Sequence, residues 1–372
     1  ASRESEGFGA CGGILNSESG IQAMKSAVLG LRRLTVFALA LTSICAPVSG
    51  QDLPRILVIA TGGTIAGQEQ GGQLTGTQLV EAVPGLADLA LIEVEEFSRV
   101  GSSAIGPGHW IRLSRRVNRV FESDPSLAGV IVTHGTDTME ETGYFLHLTI
   151  EETRPVVMVG AMRNSTSISA DGPANLLAAA RVIGRSEVRA QGVLVVLNDE
   201  IHSARDVRKM DNNRLDTFVS REFGMLGVVD LDSVVFRRKV TTLHTSASEV
   251  HLLPETTELP DVPLVADFAG NDASLLKAAY ESGADAIVVQ AFGGGRASPA
   301  VREAYEEIVA AGVPVVLASR VPEGRVMSHA EGTNAGLVYA GDLPPHKARV
   351  LVMLALQRPS STARLQRLMD TH

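Results

Sequence analysis

Short runs of apolar, largely β-branched residues are the strongest constraint in this chain. Ile56–Ala60, Gly129–Thr133, Val156–Val159 and Val193–Leu197 each run into a turn rich in glycine, hydroxyl or carboxylate residues. The runs are continuous rather than alternating, as strands covered on both faces must be. Helical stretches fall between them. Thr138, with Glu141 three residues on, has the pattern of a capping box opening the helix of Tyr144–Ile150. Asn175–Ile183 is a second helical stretch, stopped by Gly184. This alternation predicts an α/β fold with a parallel sheet. The stretch Arg237–Pro260 breaks the rhythm, being rich in Thr, Ser, Glu and Pro with no sustained period. Beyond it Leu264–Phe268, Ala286–Gln290 and Val313–Ala318 are expected as strands. Ser298-Pro299 is expected to cap a helix that Gly312 closes, and Pro344 to start the last long helix, up to about Gln357. The expectation is two α/β domains with mainly parallel sheets, at 52–238 and 260–372, joined by a linker at 239–259.

The first fifty residues stand apart. Lys25, Arg32 and Arg33 precede an apolar stretch, Leu34–Ala46, that is too short to span a bilayer. Residues 24–50 therefore have the pattern of a signal peptide, cut before Gln51, with 1–23 as an upstream extension. A short membrane anchor is the alternative. The expected location is periplasmic or secreted, with no membrane association after cleavage. Both cysteines, Cys11 and Cys45, fall in this segment, so neither a disulfide framework nor a cysteine-based zinc site is expected. The chain of 372 residues is 45% hydrophobic and 20% charged, enough to bury a core and too apolar for disorder as its main state. A net charge of −9 without a basic run of five or more residues argues against a nucleic-acid partner.

In parallel sheets, sites gather at the carboxyl ends of strands. Those ends here carry Thr61-Gly62-Gly63-Thr64, Thr133-His134-Gly135-Thr136-Asp137-Thr138, Gly160-Ala161-Met162-Arg163 leading to Asp171-Gly172-Pro173, and Asn198-Asp199-Glu200 followed by Arg205-Asp206-Val207-Arg208-Lys209. Gly62-Gly63 alone is as well explained by a tight turn, since the Gly-Lys-Ser/Thr ending of a phosphate loop and the full dinucleotide fingerprint are both missing. Thr136-Asp137 alone is as well explained by a helix cap. Together the two threonine turns and a downstream lysine suggest nucleophilic chemistry, because a hydroxyl needs a neighbour to take its proton. His109, His134 and His202 lack ligand spacing, so no metal and no cofactor is expected.

With these motifs in order, the chain resembles the bacterial type II L-asparaginases, or asparaginase/glutaminases. The match rests on Ala60–Gly67, Thr133–Thr142 and Val156–Arg163 and runs from about Pro54 to near the C-terminus. The resemblance implies a larger flavodoxin-like N-terminal domain, a smaller C-terminal one, and hydrolysis of a side-chain amide to aspartate and ammonia. Thr64 matches the family's nucleophile. Thr136, Asp137 and Lys209 match its second catalytic group, in which Lys209 needs a lowered pKa or a short bond to Thr136 to pass protons. Gly101-Ser102 matches the turn whose serine binds the substrate's α-carboxylate, and Gly63 and Thr136 supply candidate oxyanion amides. Ala161 falls in the third matching motif and is expected near the substrate. Glu331 matches a glutamate contributed across a subunit interface, which implies a homotetramer. Asn271 is a candidate for an asparagine that crosses the same interface. Each has a plainer alternative: Ser102 as a turn residue, Lys209 as part of a solvated charge run, Glu331 as a surface carboxylate.

The chain also departs from the family. The tyrosine usual in a lid after the first motif has no counterpart in Gln68–Gln73. Ser103 stands where a longer Gln or Glu often reaches the substrate's α-ammonium, so weaker substrate binding is expected. These departures keep alive a second reading, an exported amino-acid-binding protein with little or no turnover. An asparaginase-like subunit acting on charged tRNA is a third, opposed by the acidic charge and the export pattern.

Overall fold

The computed structural model describes residues 53–69, 71–327 and 336–372. The segment at 1–50, and with it the expected signal peptide, lies outside the described residues. Among the described residues fourteen strands form three sheets: β1 Arg55–Ala60, β2 Leu91–Glu96, β3 Leu127–Thr133, β4 Val156–Val159, β5 Val193–Leu197, β6 Glu200–Ser203, β7 Arg208–Lys209, β8 Phe218–Val219, β9 Gly227–Val229, β10 Val234–Phe236, β11 Leu264–Ala266, β12 Ile287–Ala291, β13 Val315–Ser319 and β14 Leu337–Tyr339. The large sheet has the order β10-β9-β6-β5-β4-β3-β1-β2. Its β2-β1-β3-β4-β5 part is parallel throughout. This is the flavodoxin-like order, and its direction reverses between β1 and β3, where ligands bind in such sheets. The other strands extend the edge antiparallel. The second sheet, β11-β12-β13-β14, is all parallel. The α/β class with mainly parallel sheets thus holds.

Eight α-helices among the described residues cover these sheets: α1 Gly76–Glu81, α2 Pro107–Ser123, α3 Met139–Thr149, α4 Gly172–Ile183, α5 Ser274–Glu281, α6 Pro299–Ala310, α7 Pro345–Ala355 and α8 Thr362–Thr371. Between β10 and β11 the chain forms one short 3-10 turn, Thr245–Ala247. The β1, β3, β4 and β5 runs are almost wholly buried, which explains their unbroken apolar sequence. One core joins both sheets. Trp110, Tyr144, Phe145 and Leu148 from α2 and α3 pack with Val288, Val316 and Val338 of the second sheet and with Leu351 and Leu354 of α7.

Three local expectations need correction. Thr138 occupies the N-cap of α3, but its side chain makes no capping bond. Its hydroxyl instead donates to the Ser102 carbonyl at 2.7 Å, so the site takes the group that the capping box required. Ser298 likewise precedes α6 without a side-chain cap, because its hydroxyl bonds Asp267 at 3.0 Å. The helix after Pro344 stops at Ala355 and is followed by α8, whose N-cap Ser361 accepts from the Arg364 amide at 3.2 Å.

Candidate active site

Glycine brings three loops to one point beyond the β1–β3 reversal. Thr61 follows β1, and its hydroxyl donates across to the Thr133 carbonyl at 2.8 Å. Gly62 and Gly63 follow with φ of +99° and +88°, conformations that side chains disfavour. A Cβ on Gly63 would stand 2.4 Å from the Gly135 Cα, and one on Gly62 would stand 2.7 Å from the Val100 carbonyl oxygen. A Cβ on Gly135 would stand 2.8 Å from the Ser102 hydroxyl. The turn bearing Thr64 is thus packed against the turn bearing Thr136 and Asp137, and both lie against the 100–102 turn. Thr64 is half-buried on a tight reversal in which the Gly67 amide donates to the Gly63 and Thr64 carbonyls at 3.1 and 3.0 Å.

Lys209 enters from β7. Its ammonium donates to the Thr136 hydroxyl at 2.9 Å and to Asp137 Oδ1 at 3.0 Å. Lys209 is therefore aimed into the site and is no solvated charge. Thr136 accepts this bond through its oxygen, which leaves its own proton free to point at a ligand. The Asp137 carboxylate is about two-thirds exposed, with its second oxygen open to a cationic partner. Ser102 is buried, and its hydroxyl accepts from the Asp137 amide at 3.2 Å. That bond ties the 102 turn to the 137 turn. Gly101 and Ser103 flank it at the surface. Ala161 is buried at the end of β4, where Gly172 leaves room for it and for Ile65.

The other two candidates fall differently. Asn271 is buried in its own loop, with its amide on Asp267 Oδ1 at 3.1 Å and its carbonyl accepting from Ala273 N at 2.9 Å. Its side chain is thus committed within the second half, to a loop-building role. Glu331 lies outside the described residues. The glycine-rich segment after the first motif is closed by a bridge between Gly67 and Gln73. It is tied to the loop after β4 through Ser165 N to Gly67 O at 2.9 Å and Glu69 N to Thr166 Oγ1 at 3.0 Å.

A supporting layer surrounds these residues, and within it the roles of Asn175, Glu140, His346 and Lys347 were missed from sequence. Asp171 accepts the amides of Met162 and Arg163, each at 2.9 Å, and so holds the turn after β4. Asn175 donates to the Gly160 carbonyl at 3.0 Å. Glu140, in the first turn of α3, accepts the Lys209 amide at 2.8 Å and His346 Nε2 at 2.9 Å. Burial pushes the Glu140 carboxyl up, but its bond to His346 and the nearby Lys347 charge outweigh that and bring it down to about 2. Lys347 is fully buried, and burial lowers it to about 8 against the opposing pull of Glu140. His134 is buried with its Nδ1 2.7 Å from the Gly135 carbonyl, and burial drops it to about 4, so at neutral pH it is an uncharged brace for the turn. The signal available for Glu140 was its place within Thr133–Thr142, although no spacing rule marks it. Among the described residues no cluster of three or more His, Cys, Asp or Glu is placed to hold a metal.

The arrangement offers a hydroxyl on a tight glycine turn, a second hydroxyl bonded to a lysine, and an adjacent carboxylate. Such a set can support covalent acyl transfer. Comparison with known proteins gives the family. The family model described as Asparaginase, N-terminal, matches residues 55–242, and the Glutaminase/Asparaginase C-terminal domain model matches 261–369. L-asparaginase 2 of Bacillus subtilis is 39% identical over 325 residues, covering 85% of this chain and 86% of the relative. The probable periplasmic L-asparaginase of Haemophilus influenzae is 38% identical over 315 residues, covering 82% and 89%. The crystal structure of a probable cytoplasmic L-asparaginase from Campylobacter jejuni superposes with a TM-score of 0.82 at 38% identity, covering 86% of this chain and all of that one.

Proposed function

The chain belongs to the asparaginase family, and from that membership we propose that it hydrolyses L-asparagine to L-aspartate and ammonia. It is an amidohydrolase by kinship with bacterial type II enzymes. Activity on L-glutamine is part of the proposal, since the second matching family model carries both names.

The proposed mechanism uses Thr64 as nucleophile. Its hydroxyl oxygen attacks the side-chain amide carbon, and the oxyanion is stabilised by the amides of Gly63 and Thr136. The carbon–nitrogen bond breaks, and ammonia leaves with the proton that Thr64 gave up. Water then attacks the aspartyl ester, which releases L-aspartate and restores the hydroxyl. Thr136, Lys209 and Asp137 relay the protons, while Ser102 takes the substrate's α-carboxylate and Asp137 its α-ammonium. Gly101, Ser103 and Ala161 line the substrate's place. The observation that carries this reading is the pair of bonds from Lys209 Nζ to Thr136 and Asp137. A protein that only bound an amino acid would have no need of a lysine held to a second hydroxyl beside the first.

The proposal extends to the whole molecule. Two α/β domains at 52–238 and 260–372 assemble as a homotetramer in which Glu331 completes a neighbour's site. Support comes from the resemblance and from large apolar side chains left exposed, Leu231 and Ile168 above all. Export to the periplasm or medium is proposed from the leader pattern; one relative is named periplasmic and the solved structure cytoplasmic. The experiment is ammonia release from L-asparagine and L-glutamine by protein beginning at Gln51, beside Thr64→Ala. Turnover that disappears in the variant supports the threonine hydrolase. Bound L-asparagine or L-aspartate without turnover in the parent would favour the binding protein.

A further inference from the structure

Lys209 is held by more than the groups it touches with its ammonium. Its strand has only two residues, paired antiparallel with Phe218–Val219. Such a stub does not by itself fix a long side chain to within the few tenths of an ångström that proton transfer needs. The extra restraint comes from the second half of the chain. His346 and Lys347 lie in the first turn of α7. The Lys347 ammonium, wholly buried, donates to the carbonyls of Ala204, Arg205 and Val207 at 2.9, 2.8 and 2.6 Å. These bonds use all three of its protons on the turn that delivers Lys209. The same ammonium is 4.0 Å from Glu140 Oε2, the oxygen that takes the His346 bond. The other oxygen, Oε1, accepts the Lys209 backbone amide.

We infer that Glu140 is a positioning residue for Lys209, and that α7 sets it through His346 and Lys347. The chain of contact runs from helix to carboxylate to backbone amide, and it ends at a side chain bonded to Thr136. A buried lysine spent wholly on backbone carbonyls is an expensive way to hold a turn, since an apolar residue would fill the space without a desolvation penalty. It does fix where that turn lies. The inference rests on the reading of Lys209 as catalytic.

The test compares Glu140→Gln and His346→Ala with Lys209→Met in the mature protein. It measures kcat and KM for L-asparagine, the pH dependence of kcat, and the amount of folded sites by L-aspartate binding. Glu140→Gln keeps the shape and removes the charge. Per folded site, its kcat is expected to fall about ten- to a hundredfold, with KM within about threefold of the parent and the pH profile displaced. His346→Ala, at a side chain one-third exposed, should shift both readouts in the same direction by less. If Glu140→Gln fails to fold, His346→Ala decides. Parental kcat and pH profile in the folded variants, beside an inactive Lys209→Met, would overturn the inference alone. Full turnover by Lys209→Met would overturn the reading of Lys209 beneath it.

Discussion

Gly63 stands at φ +88° with its Cα face against Gly135, so the contact between the two threonine turns depends on the absence of one methyl group. Gly63→Ala would impose both an unfavourable backbone conformation and an overlap with backbone that has no free end to move. The expected result is a loss of stability of at least about 2 kcal/mol and a fall in turnover of about a hundredfold. Chemical denaturation and ammonia release check the two parts, and an alanine variant with parental kcat would contradict the packing account. At this scale the loops that come together were readable, since Thr64, Thr136 and Asp137 lie in strand-end motifs, whereas Lys209 stands in a charge run and its bonds to Thr136 and Asp137 appear only in the structure. What was not readable was the purpose of each polar group. Thr138 has the sequence of a helix cap, and its hydroxyl serves Ser102 instead. A side chain with two possible partners chooses by tertiary distance, which one strand of letters does not carry.

The elements that meet at Glu140 give the molecule a specific acid sensitivity. Its carboxyl is brought from 4.5 to about 2 in the folded state. A depressed acid contributes stability that is fully present above the unfolded value and is lost as pH falls through the folded one. The window therefore runs from about pH 4.5 down to about 2. The contribution at neutral pH is on the order of 3 kcal/mol. Glu140→Gln should lower the thermal midpoint at neutral pH, and the gap between variant and parent should narrow across that window. A gap that stays constant with pH would contradict the linkage. The partners of Glu140 lie on α7 and in β7, and nothing local in the sequence announces that a helix near the end of the chain reaches that carboxylate. The buried parallel strands, by contrast, were legible as unbroken apolar runs. The antiparallel strands β6, β9 and β10 were not, since each has only three or four residues, too few to show a period.

At the scale of the whole molecule the two sheets share one core, and the single tryptophan sits in it. Trp110 is buried against Phe145 with ring centroids 5.6 Å apart, and its indole donates to the Thr142 hydroxyl at 2.9 Å. Around it are residues of both halves. Unfolding followed by tryptophan fluorescence and by far-ultraviolet circular dichroism should therefore give coincident transitions. A fluorescence change that leaves most secondary structure intact would mean that the halves part before they melt. The break at Arg237–Pro260 was visible in composition, whereas the shared core was not. Its residues come from α2, α3, α7 and the second sheet, and each of their apolar faces was legible only as a face without a named partner.

The account turns on a covalent bond to Thr64. The direct measurement is acid quenching during turnover of L-asparagine, followed by peptide mass spectrometry of the segment that contains Thr64. An aspartyl ester on that residue, absent when Thr64→Ala is treated alike, is the predicted result. Undiminished ammonia release by Thr64→Ala, with no ester on the parent threonine, would contradict it.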